Sequence, residues 1–183
     1  MKFAPLSAFL ALAAPSSAMA QMAVSTFGAN DAQLCYQAAA DDFASDTADC
    51  DKALQGGALT ARDRIATRVN RGIIYNREGK LDAALEDFNK AIEKNGELAE
   101  AFLNRGNTFY LMRRYDEAIE DYRTSLQFNL KQSHVAWYNI GLALEAKKDD
   151  VQAKEAYRTA LEINPEFGPA RKKLGLSGAP AQE

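Results

Sequence analysis

Between residues 65 and 92 the apolar and small residues Ile73, Ile74, Ala84, Leu85, Phe88, Ala91 and Ile92 return at three- and four-residue steps, with charged residues filling the intervals. Such a step lays an apolar face along a helix. The stretch "NREGK" (76–80) breaks the pattern and divides it into two helices, with Gly79 free to adopt a positive φ where the first one stops. The unit this predicts is a helical hairpin.

The hairpin recurs. Glycines at 72, 106, 141 and 175 stand 34, 35 and 34 residues apart. Twelve residues after each of the first three comes an alanine (Ala84, Ala118, Ala153), then an aromatic four further on (Phe88, Tyr122, Tyr157), then Ala91, Ser125 and Ala160. Glycine and alanine mark where the two helices come closest, and the aromatic fills the space one turn later. A hairpin of this kind cannot cover its own apolar faces, so units must stack, and about three are needed for stability.

These positions resemble the tetratricopeptide repeat family. The third unit matches most closely, through Trp137, Gly141, Leu144, Ala153, Tyr157, Ala160 and Pro165; the first two carry Arg68 and Phe102 at the bulky position and Gly96 and Leu130 in place of the proline. The resemblance implies an all-α, right-handed superhelix with repeats at about 65–98, 99–133 and 134–167 inside a domain spanning 64–176. A capping helix over 168–176 would present Arg171, Lys172 and Lys173 outward, and residues 177–183 read as a disordered tail.

Upstream, "DCDKAL" (49–54) aligns with "EDFNKAI" (86–92), which puts Cys50 at the place of Phe88, and Cys35 lies on the preceding apolar segment. Residues 31–63 therefore read as a degenerate first hairpin, its loop "QGGALTARDR" carrying the extra length. The first twenty residues have one lysine, an apolar stretch from Phe3 to Ala14 and the ending Ala18-Met19-Ala20, which predicts a secretory signal over 1–20, too short to span a bilayer. The mature chain would begin at Gln21 with a flexible N-terminus over 21–30, and its compartment would be the bacterial periplasm. In an oxidising compartment Cys35 and Cys50 read as one structural disulfide, the alternative being two free buried thiols.

Asn-Arg-Gly occurs at 70–72 and 104–106, and Asn139 holds the same place in the third unit. Arg71 precedes Asp87 by sixteen residues and Arg105 precedes Asp121 by sixteen, while the third unit has Ile140 and Ala156 at both places. Joint presence and joint loss predict intramolecular ion pairs, Arg71 with Asp87 and Arg105 with Asp121. The asparagines survive where the pairs do not. In the resembled family this position lines the inner, concave face, where asparagines bind the backbone of extended peptides, and a side-chain amide offers one donor and one acceptor to a peptide unit.

Asn70, Asn104 and Asn139 are therefore candidate partner-binding residues, with Ile73, Asn107, Tyr110, Tyr138 and Leu142 around them. The same inner-face offsets include Val69, Asn76, Arg77, Leu103, Leu111, Val135 and Glu145. The other reading is that the amides bond only neighbouring side chains or water. Some family members clamp a C-terminal carboxylate with lysines on this face; Val69 and Val135 occupy two such places, so that activity does not carry over.

With 183 residues, 47% apolar, 26% charged and a net charge of −3, the composition is that of a soluble globular domain. No run of Lys or Arg alternates with aromatics, so nucleic acid is not an expected partner. The lone histidine, His134, reads as a boundary residue in contact with solvent, and Asp41, Asp42, Asp46, Asp49 and Asp51 lack calcium-loop spacing. Neither a catalytic constellation, a metal site nor a phosphate loop is recognisable, so no enzyme activity and no cofactor are expected. What remains is an exported scaffold that binds a protein or peptide segment on its concave face, as a monomer. The alternative is an assembly component that self-associates or buttresses a larger complex through its convex faces or ends.

Overall fold

The structure is a computed structural model that describes residues 22–25, 30–57 and 59–176. The signal assigned to 1–20 and the tail assigned to 177–183 lie outside the described residues. Within them the regular elements are helices: α1 (Asn30–Ala40), α2 (Ala48–Gln55), α3 (Ala61–Arg77), α4 (Leu81–Lys94), α5 (Ala99–Leu111), α6 (Tyr115–Gln127), α7 (Ser133–Ala146), α8 (Asp150–Ile163) and α9 (Gly168–Lys173). The protein is all-α.

Consecutive helices pair as hairpins, α3 with α4, α5 with α6 and α7 with α8, and each hairpin packs on the next. The close approach inside each pair is made by the glycines. A methyl group built on Gly72 would lie 2.7 Å from the Phe88 ring, one on Gly106 would lie 2.7 Å from the Tyr122 ring, and one on Gly141 would overlap Tyr157. Phe88 and Tyr122 are completely buried there, among Ala84, Ala91 and Ala118.

Turn geometry repeats as well. Gly79 has φ 73° and closes the end of α3 with its N–H on the Asn76 carbonyl, while the Lys80 N–H reaches Tyr75. Arg113 and Lys148 hold the same left-handed place after α5 and α7, at φ 62° and 68°, although neither is glycine.

The N-terminal hairpin of α1 and α2 stacks on α3. Cys35 and Cys50 are bonded to each other and fully enclosed at its centre, where the later units have an aromatic ring. Arg77 holds this hairpin in place by donating to the carbonyls of Ala38 (2.9 Å) and Asp41 (2.7 Å), with a further bond to Ala39. A cation at those carbonyls satisfies the open end of α1 and its dipole. Burial outweighs the nearby carboxylates Asp42 and Asp41 and lowers the Arg77 pKa.

One sequence expectation changes here. Helix α3 begins at Ala61, inside the stretch 55–64 that reads as a loop, because Thr60 caps it: the Thr60 hydroxyl accepts from Asp63 N–H at 3.1 Å and donates to the Asp63 carboxylate at 2.8 Å. Within the stretch read as the N-terminus, 21–30, Met22 and Val24 are bonded to the repeats and Asn30 opens α1.

The first helices α3, α5 and α7 also pack on one another along the array, α3 on α5 and α5 on α7. The second helices make no comparable contact with each other among the described residues. The array therefore bends with the first helices on the inside of the curve.

Candidate functional site

Asn70 on α3 and Asn104 on α5 face the inside of this curve, and a stretch of the chain's own backbone lies across them. Asn70 Nδ2 donates to the Val24 carbonyl at 2.8 Å, and Val24 N–H donates to Asn70 Oδ1 at 2.8 Å. Asn104 repeats the arrangement on Met22, with its Nδ2 on the Met22 carbonyl at 2.8 Å and Met22 N–H on its Oδ1 at 3.3 Å. In extended backbone the N–H and C=O of one residue point to the same side, and residues two apart share that side. Two carboxamides one repeat apart thus take up residues i and i+2 of an extended segment, each using its donor and its acceptor. The segment runs from α5 towards α3, against the order of the repeats.

The side chains of the segment rest on apolar surface. Met22 packs beside the cluster built by α5 to α8, and Ala23 and Val24 beside the one built by α3, α4 and the disulfide hairpin. Alongside lies a cleft of about 700 Å³ whose walls include Tyr36, Arg62, Ile65, Leu98, Glu100 and Lys131.

The remaining predicted residues divide by role. Asn139 is on the same face but its Nδ2 donates to Asn107 Oδ1 at 2.9 Å, and Tyr122 O–H donates to that same oxygen at 3.0 Å. Asn107 is completely buried and ties α5, α6 and α7 together, so it is part of the interior and not of an open surface. Ile73 is likewise fully enclosed, and Leu142 is 3% exposed within the core. Tyr110 remains half-buried, its ring edge-on to Tyr115 at 5.5 Å. Tyr138 sits between Tyr157 (5.6 Å) and Phe167 (5.4 Å). Burial raises the phenol pKa of both Tyr110 and Tyr138.

Glu145, an inner-face offset in the third unit, accepts from Tyr157 O–H at 2.6 Å and pairs with Lys173 of α9 at 2.8 Å. Burial works to raise its pKa, and these two donors hold it below the usual carboxylate value. Burial and then Glu145 push the Tyr157 phenol well above the ordinary tyrosine value.

Arg71 embraces Asp87 through Nε (2.7 Å) and a terminal nitrogen (2.8 Å), and Arg105 embraces Asp121 with the same two distances. Each also reaches back to the preceding hairpin, Arg71 to Asp51 at 2.6 Å and Arg105 to Asn89 at 2.9 Å. The sequence reading found the pair within the hairpin and missed the bond between hairpins. Asp51 is twenty residues before Arg71 and Asn89 is sixteen before Arg105, so no shared offset announces them. Burial raises the Asp121 pKa, with Arg105 pulling in the opposite direction. His134 packs edge-on against Phe167 at 4.9 Å, where partial burial lowers its pKa.

Among the described residues no group of acidic, histidine and cysteine side chains is placed to hold a metal, and no helix is long and apolar enough to cross a membrane.

Family models described as Tetratricopeptide repeat and TPR repeat match residues 99–131 and 134–167, and residues 72–112, respectively. The chain is 31% identical over 105 residues to the human protein O-mannosyl-transferase TMTC1 and 30% identical over 121 residues to bovine neutrophil cytosol factor 2. Those matches cover 55% and 57% of this chain but only 12% and 22% of the relatives' own length. Among solved structures, the Arabidopsis OM64 TPR domain has a TM-score of 0.59 at 20% identity, covering 63% of this chain and 95% of that one. The first TPR of Spaghetti (RPAP3), bound to the HSP90 peptide SRMEEVD, has 0.58 at 21%, covering 66% and 94%. The recurring glycine, alanine and aromatic positions, the stacked hairpins and these matches make the chain a member of the tetratricopeptide repeat family.

Proposed function

We propose that the protein is an exported, non-catalytic scaffold whose concave face binds an extended segment of a protein partner through its main chain. The observation that carries this reading is the pair of two-way bonds from Asn70 and Asn104 to Val24 and Met22. An amide that engages both polar atoms of a residue's backbone recognises chain conformation and direction and places no demand on the side chain. Similar folds are seen holding peptides, as in the Spaghetti domain with its HSP90 peptide. The lysine, apolar stretch and Ala-Met-Ala ending within residues 1–20 and the bonded pair Cys35–Cys50 support export to an oxidising compartment.

The partner this groove fits has an extended stretch of apolar side chains, matching Met22, Ala23 and Val24. Panning a display library of random heptapeptides on the protein is expected to enrich such sequences, and the Asn70→Ala, Asn104→Ala double variant is expected to retain none of them. Equal retention by the double variant contradicts the reading.

A further inference from the structure

Residues 22–24 occupy the two rungs that a partner's backbone needs, so the groove is filled by the chain itself. We propose that this segment is an intramolecular ligand, and that a partner gains Asn70 and Asn104 only by displacing it. The inference rests on the groove being a backbone-binding site and adds an occupied state that controls access to it.

The segment is held as a ligand is held. Its bonds to the repeats are made by side-chain amides, and a competing extended chain can remake each of them. Met22, Ala23 and Val24 are only half-buried and Ser25 is exposed, whereas the residues beneath, such as Val69, Ile73 and Leu103, are completely enclosed. The amides themselves are also wholly buried with the segment in place. An empty groove would leave them to water, and a partner must take over their bonds.

Covalent connection makes the segment a strong competitor. Residues 26–29 are all that separate it from α1, and a short connection gives an effective concentration on the order of 1 mM. Against a segment whose free counterpart binds with a Kd of about 100 μM, that concentration fills the groove about nine-tenths of the time and weakens an external competitor about tenfold.

The test compares the full chain with its Met22→Pro, Val24→Pro variant. Proline removes both N–H groups that Asn104 and Asn70 accept, and both substitutions lie outside every helix. The probe is a fluorescein-labelled peptide with the sequence of residues 21–25, Gln-Met-Ala-Val-Ser, followed by fluorescence anisotropy. The variant is expected to bind it at least about tenfold more tightly than the unaltered chain, given the effective concentration above. Adding Asn70→Ala and Asn104→Ala to the variant is expected to abolish that binding. Equal binding by both chains overturns the proposal and leaves the groove reading intact; binding by neither removes both. Hydrogen exchange at the Val24 amide of the unaltered chain gives a second readout that needs no substitution. Saturating unlabelled peptide is expected to speed it, and an unchanged rate overturns the proposal equally.

Discussion

Asp121 is 4% exposed, and its charge is tolerated because Arg105 meets it with two bonds. Taking away one member of such a pair leaves an uncompensated buried charge, so Arg105→Ala is expected to cost about 3 kcal/mol in urea unfolding. The pH dependence has a definite sign. Burial already raises the Asp121 pKa, and loss of Arg105 raises it further. A carboxyl that holds its proton more tightly folded than unfolded makes the folded state less stable as pH rises through that interval. The deficit of the variant is thus expected to be larger near about pH 7 than near about pH 5, and a deficit that is absent or independent of pH contradicts the assignment. The Arg–Asp pairs were legible in the sequence because both members are present in two units and missing together from the third. Asn107 was not: three residues after Asn104, it looked like another groove amide, and only the positions of Tyr122 and Asn139 show that it binds inward.

Helix ends obey a rule that two units follow under strain. Gly79 takes the left-handed conformation without penalty, but Arg113 and Lys148 take it with a side chain, which costs about 1–2 kcal/mol per residue. Glycine's greater freedom in the unfolded chain, about 0.5–1 kcal/mol, offsets part of that gain. Lys148→Gly is therefore expected to stabilise the protein by about 0.5 kcal/mol, measured by urea or thermal unfolding, and a loss of stability would count against this description of the turn. The helical hairpins themselves were readable because their apolar positions repeat on two scales, within a helix and every 34 or 35 residues. The docked segment had neither signal. It is too short to show a period, and its partners are 46 and 82 residues away. The start of α3 was misplaced for a local reason, since the threonine that caps it lies in a stretch otherwise reading as a loop.

At the scale of the molecule, stacking turns one asparagine per hairpin into a row on the inside of a curve. Two of the three carboxamides hold backbone, and the third, Asn139, joins the interior network through Asn107. Ordering an extended residue costs about 1–2 kcal/mol, and each hydrogen bond returns about 0.5–1.5 kcal/mol net. A three-residue segment held by four such bonds is close to balance, which suits a groove that exchanges its occupant.

The most direct test of this account is an N-methyl scan of the Gln-Met-Ala-Val-Ser peptide against the Met22→Pro, Val24→Pro chain. Methylating a backbone nitrogen removes its donor and leaves the side chain in place. Binding is expected to be lost on methylation at the methionine and at the valine, whose N–H groups meet Asn104 and Asn70, and to survive methylation at the intervening alanine. Equal sensitivity at all three positions, or loss at the alanine alone, would contradict a ladder that grips every second residue.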